Sequence, residues 1–210
     1  MTARQLRELA EALLVAVLLA GFARTFLAQP FRIPSVSMAP ALLAGDHVIV
    51  NRFVFAPSLY AWERRWLPLR EPARGDVAVF RYPRDPRKPF VKRVLGVAGE
   101  RVELRRGALS VGGKVVDERA YARRTDPRGY PASSRRDPFY MRRHSYGPDT
   151  VPAASLFVLG DNRELSADSR YWGYVPRRFV LGRALVVYWS LQPASAPARP
   201  RWERIGRLAR

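Results

Sequence analysis

The chain has no cysteine and only two histidines, His47 and His144. The first absence excludes disulfides, thiolate catalysis and cysteine-ligated zinc, and leaves the compartment open. The second leaves at most two candidate bases for a Ser-His-Asp triad and nearly excludes a histidine-rich metal site. Acidic residues are scarce as well: 18 Asp+Glu stand against 37 Lys+Arg, for a net charge of +19. Such an excess suits a polyanionic partner, either nucleic acid or an anionic membrane surface. It is mostly arginine, which the composition habits of a source genome would produce equally well. At 210 residues the chain has room for one membrane segment and one domain with a sizeable core.

Long apolar runs are also in short supply. Ala12–Ala23 is unbroken, but at 1.5 Å per residue it covers only about 18 Å of a roughly 30 Å hydrocarbon core. Extending it to Leu9 and Ala28 supplies the length and takes in Glu11, Arg24 and Thr25. The two charges then lie near the ends, where long side chains reach the headgroups. One tilted or slightly short spanning helix is therefore expected within an anchor at 1–29. A cleavable secretory signal starting at Arg4 and Arg7 is the competing reading. Pro30 opposes it, because a proline just after a cut site disfavours cleavage. Arg4 and Arg7 before the run are matched by Arg24 and Arg32 after it, so flanking charge does not fix the orientation.

What is present beyond residue 30 is a series of short β-type runs punctuated by Gly and Pro. His47–Phe55, Asp76–Tyr82, Phe90–Val97, Leu156–Leu159 and Ala184–Trp189 are rich in Val, Ile and aromatics. Turn dipeptides such as Gly45-Asp46, Gly75-Asp76 and Gly160-Asp161 separate them. Many short strands without alternating long helices predict a mostly β, antiparallel domain over 30–192. The polar Arg/Pro/Gly/Ser-rich stretch at about 119–152 reads as a flap-like excursion inserted in that domain, and 193–210 as a basic tail.

Three segments concentrate polar chemistry. Ser35 and Ser37 sit between Pro34 and Pro40, just after the apolar segment. Lys92 lies in a strand-like run where it shares a face with Phe90 and Val94, so burial there would depress its pKa. Gly160–Arg170 is a dense polar stretch after an apolar strand. Singly, these read as loop serines, a surface lysine and a salt-bridged loop. The residues alone go no further than a candidate Ser/Lys hydrolase, in which a base must take the serine proton.

Together and in order, the segments resemble the type I signal peptidase (leader peptidase) family. Ser35-Val-Ser37-Met38-Ala-Pro40 resembles its serine box, and Gly45–Asn51 its next one. Arg74–Phe80 followed by Val91–Gly96 resembles its lysine box. Gly160-Asp161-Asn162-Arg163 through Ser166-Ala-Asp168-Ser169-Arg170 resembles its last. Val97-Ala98-Gly99-Glu100 and Glu164-Leu165 depart from the usual pattern without removing a residue of catalytic role.

The resemblance implies a serine endopeptidase without metal or cofactor. In it Ser37 is the nucleophile, Lys92 the general base, and the Ser37 N–H with the Ser35 hydroxyl forms the oxyanion hole. Ser166 orients the lysine, Asp168 and Arg170 form a supporting ion pair, and Asp161 is structural. Ile33, Pro34 and Met38 are expected walls of shallow pockets for an Ala-X-Ala segment. The implied partners are signal peptides of exported preproteins and membrane lipid, not nucleic acid. The implied location is the bacterial cytoplasmic (inner) membrane, single-pass, with the catalytic domain on the extracytoplasmic side. His47 and His144 are expected bystanders.

Overall fold

The computed structural model describes residues 2–22, 28–56, 61–124, 144–192 and 199–209. An N-terminal helix, α1 (Ala3–Phe22), precedes a domain of antiparallel strands. Helix α1 begins earlier than the apolar run because Arg4–Glu8 and Arg7–Glu11 pair one turn apart and support its first half. It cannot run on to Ala28, since Ala28 opens strand β1 (Ala28–Arg32). The uncharged part, Ala12–Phe22, is about 16 Å long. Among the described residues no helix is long and apolar enough to cross a membrane, which differs from the spanning helix expected from the sequence.

The remaining strands are β2 (Asp46–Asn51), β3 (Val77–Tyr82), β4 (Asp85–Val97), β5 (Arg101–Arg105), β6 (Ala108–Val111), β7 (Lys114–Val115), β8 (Tyr146–Thr150), β9 (Ser155–Leu159), β10 (Val175–Pro176), β11 (Val180–Gln192) and β12 (Arg199–Pro200). Two short helices, α2 (Ala61–Trp66) and α3 (Ser169–Trp172), join them. One sheet has the order β1-β2-β11-β3-β4-β9-β10, with β12 added to β11; the other has the order β7-β6-β5-β8. The mostly antiparallel β domain read from the sequence is what the chain forms.

The middle of the large sheet is covered on both faces. In β3, Val77 and Val79 enter one apolar cluster with Ile33, Met38 and Val91, while Ala78 and Phe80 enter another with Val94, Val158 and Trp172. This period-2 split puts neighbouring residues of one strand into opposite cores. In β4 every residue from Val91 to Gly96 is buried, so Lys92 and Arg93 are buried with their apolar neighbours.

Three boundaries differ from expectation. The run His47–Phe55 is strand only to Asn51; Asn51 Oδ1 accepts the Val54 N–H at 3.0 Å, and Phe53–Phe55 forms a 3₁₀ turn. The excursion at 119–152 ends in β8, which pairs with β5; residues 125–143 lie outside the described residues. The expected basic tail is, over 199–209, part of the domain. Arg204 donates to both Asp46 oxygens, Arg201 and Ser190 donate to the same carboxylate, and Ala209 joins the core. Burial alone would raise the Asp46 pKa, but Arg204, Ser190 and the Leu43 N–H hold it below the usual carboxylate range.

Candidate active site

The site forms where three stretches distant in sequence meet. Ser37 lies in a 3₁₀ turn, Val36–Met38, entered from Ser35 in extended conformation. Met38 points into the first core and is almost wholly buried, which pins the turn to the sheet. Ser37 is buried too, and its Oγ lies 2.6 Å from Lys92 Nζ, 55 residues along the chain. Ser35 Oγ lies 3.1 Å from Ser37 Oγ on the more open side.

Lys92 is 4% exposed, and its ammonium stands 5.7 Å from the Phe90 ring centroid. Desolvation penalises the charged form and pushes its pKa down to about 8. The carboxylates of Asp168 and Asp161 pull the other way, and Arg170 adds to the depression. The expectation that Lys92 shares a face with Phe90 and Val94 holds, since its partner Ala78 and both of those residues belong to one cluster.

The third stretch, Gly160–Arg170, is held by charge-assisted bonds. Asp168 binds Arg170 through both oxygens, at 2.7 and 2.8 Å, and accepts the Gly160 N–H at 3.1 Å. Arg170 also donates to the Arg163 carbonyl at 2.7 Å. Asp161 pairs bidentately with Arg93, at 2.7 and 2.6 Å, both being buried. Arg163 pairs with buried Glu118. Ser166 is buried beside this frame, and its Oγ has no hydrogen-bond partner among the described residues. Sequence reading missed Glu118, Arg93 as the partner of Asp161, and the contacts of Asn162 with the serine turn. A motif shows which residues recur, not which distant charge each one meets.

A cleft of about 280 Å³ opens over the Ser–Lys pair. The expected wall residues Ile33, Pro34 and Met38 line it together with Ser35, Ser37 and Lys92. Phe31, Pro89, Phe90, Val91, Leu165 and Ala167 complete it and were not anticipated. Neither His47 nor His144 lines this cleft. His47 instead packs edge-on against Tyr188, with ring centroids 5.9 Å apart. A larger cleft of about 690 Å³, bordered by Val115, Asp117, Glu118 and Arg124, is lined by neither Ser37 nor Lys92.

The family model described as Signal peptidase, peptidase S26, matches residues 6–189. The chain belongs to this family. Signal peptidase I of Pseudomonas aeruginosa is 35% identical over 205 residues, covering 87% of this chain and 72% of that protein. Probable signal peptidase I-2 of Synechocystis sp. is 37% identical over 190 residues, covering 88% and 73%. A solved signal peptidase I from Enterococcus faecalis V583 is 30% identical, with a TM-score of 0.40, covering 54% of this chain and 97% of that one. As a signal peptidase I the chain is a serine endopeptidase that acts in the removal of signal peptides.

Within this signal peptidase, Gly160 packs the third stretch directly against the serine turn. A Cβ there would overlap Ser166 Oγ and stand 2.5 Å from the Ser37 carbonyl oxygen. Backbone and buried hydroxyl would both have to yield. Gly160→Ala is expected to lower kcat at least about tenfold and to destabilise by about 1–3 kcal/mol, the usual range for overpacking. Steady-state cleavage and thermal melting measure the two effects; an unchanged kcat would mean that this contact does not position the pair.

Proposed function

We propose that this peptidase cleaves preproteins after Ala-X-Ala-type sites, with Ser37 as nucleophile and Lys92 as general base. The observation that carries this reading is the 2.6 Å approach of Lys92 Nζ to Ser37 Oγ in a buried setting that lowers the lysine pKa to about 8. With its pKa lowered, a larger share of that amine is neutral than for an exposed lysine, and in the neutral form it can accept the hydroxyl proton as Ser37 Oγ attacks the scissile carbonyl. The carbonyl π electrons move to its oxygen, which the Ser37 N–H and the Ser35 hydroxyl receive as an oxyanion. The intermediate then collapses, the C–N bond breaks, and the Lys92 ammonium returns its proton to the leaving amine. Water, deprotonated in turn by Lys92, hydrolyses the resulting ester.

Ser166 serves as the group that orients Lys92; its Oγ is buried and makes no other hydrogen bond among the described residues. Asp168 and Arg170 hold the loop that carries it. Ile33, Pro34 and Met38 wall a pocket that small side chains fill. The N-terminal segment associates with the bacterial cytoplasmic membrane, leaving the catalytic domain on the extracytoplasmic side. Its support is the exposed apolar surface of α1, including Leu13, Leu14, Val17 and Leu18. Membrane lipid and exported preproteins are then the partners, with no role for nucleic acid.

The test is cleavage of a precursor whose signal ends in Ala-X-Ala, with the products mapped by mass spectrometry. Cleavage is expected only after the second alanine. Replacing that alanine with tryptophan should lower kcat/KM by at least about 100-fold, since a ring that cannot enter the cleft loses both pocket contacts and alignment. Equal cleavage of the tryptophan substrate would show that this cleft does not select the residue before the cut.

A further inference from the structure

From its contacts with the serine turn, we infer that Asn162 is a positioning residue for the oxyanion hole. The inference rests on the reading of the Ser37 N–H as an oxyanion donor. That N–H belongs to the same peptide unit as the Val36 carbonyl. Asn162 Nδ2 donates to this carbonyl at 3.3 Å, so its side chain holds the oxyanion amide from the opposite end. The Asn162 backbone N–H donates to the next carbonyl, that of Ser37, at 3.1 Å. Two successive peptide planes of the nucleophile turn are thus gripped by one residue from the far loop.

The assignment of the side-chain amide follows from chemistry. A carbonyl oxygen only accepts, so the NH₂ group and not Oδ1 must face Val36. Asn162 is 3% exposed and its Oδ1 has no partner among the described residues, so this buried side chain is held by its donor contact with Val36. A bond to a peptide oxygen also polarises that peptide, making its N–H a better donor at the other end. The loop is rigid where it must be: Asp161 is locked to Arg93, and the Leu165 N–H closes onto the Asn162 carbonyl at 3.2 Å.

The geometry also makes the contact separable from folding. The Val36 carbonyl accepts a second bond, from the Ala39 N–H at 3.1 Å, so removing the Asn162 side chain leaves no buried orphan there. The backbone bond from residue 162 to Ser37 survives in any non-proline variant. Asn162→Ala should therefore fold, remove one side-chain bond, and act mainly on the aim of the Ser37 N–H.

Losing an oxyanion donor outright costs about 10²–10³ in rate, so loosening one is expected to cost about tenfold in kcat. The experiment compares wild type, Asn162→Ala and Asn162→Asp on the Ala-X-Ala precursor and on an Ala-X-Ala peptide aldehyde. The aldehyde forms a tetrahedral adduct with an oxyanion; a matching uncleavable peptide forms none. For Asn162→Ala the expected result is kcat down about tenfold, KM and uncleavable-peptide affinity unchanged, and aldehyde affinity down by the same factor as kcat. Asn162→Asp, which sets an acceptor against the Val36 carbonyl, should be worse than alanine.

Wild-type kcat and aldehyde affinity in Asn162→Ala would overturn the inference, as would an equal loss of uncleavable-peptide affinity. A Ser37→Ala control separates the two levels. If it still cleaves, the Ser37 reading fails; if it is inactive while Asn162→Ala is normal, only the role of Asn162 fails.

Discussion

Replacing Lys92 with alanine is expected to lower kcat by about 10⁴–10⁶, and Ser37→Ala by a similar amount, because in the proposed mechanism each removes one half of a single proton-transfer unit. For the same reason Ser37→Ala/Lys92→Ala should be no worse than either alone. Lys92→Arg should not rescue activity, since a guanidinium stays charged at any working pH and cannot take the serine proton. The price of the buried amine is stability. Its folded pKa of about 8 lies below the ordinary lysine value of 10.5, so between these pH values the unfolded chain binds more protons. Stability therefore rises with pH from about 8 to about 10.5 and stays at its lower value below 8. Lys92→Met, which removes the penalty, should melt above wild type at pH 7, by on the order of 3 kcal/mol, while being inactive. That gap should close as the pH passes 10.5. Cleavage rates and melting curves on wild type and these five variants check both halves, and an active Lys92→Ala would contradict the mechanism.

The second large effect is structural. Arg93 and Asp161 are 2% and 0% exposed and bonded at 2.7 and 2.6 Å. Removing either partner strands a charge in the interior, at about 3–5 kcal/mol. For a domain of this size each kcal/mol moves Tm by about 2–4 °C, so Arg93→Ala or Asp161→Ala should melt about 6–20 °C lower. Arg93 also stacks 4.3 Å from the Tyr121 ring centroid and donates to the Gly75 carbonyl at 2.9 Å, so its loss should be the larger. The double variant Arg93→Met/Asp161→Leu, which buries no charge, should recover much of the stability. Its kcat should fall below that of wild type, because residue 162 follows directly on 161 and reaches the turn that carries Ser37. Single variants that melt like wild type would mean that the pair does not hold this loop.

Local pattern made the sheet legible wherever apolar residues run in short β-type segments, as in Val77–Tyr82 and Ser155–Leu159. It made the Lys92 environment legible too, because side-chain alternation in a strand depends only on adjacent residues. Features resting on distant partners were hidden. Tyr146–Thr150 contains Gly and Pro and has little β character, yet it forms β8 because β5 supplies its hydrogen bonds. The C-terminal arginines read as a solvated tail because Asp46, which buries Arg204, lies 158 residues away. The ion pair of Arg163 with Glu118 spans 45 residues. At the site, residue types pointed to Ser37 and Lys92, but the grip of Asn162 on Val36 spans 126 residues and has no local signal.

In the proposed mechanism a neutral Lys92 takes the proton of Ser37. The pH dependence of kcat/KM tests it most directly, since the acidic limb of that profile reports the base in the free enzyme. Activity should climb as Lys92 loses its proton and level off above an apparent pKa near 8. A limb near 6.5, the range of histidine, together with cleavage that survives Lys92→Ala, would contradict it and place the base at His47 or His144.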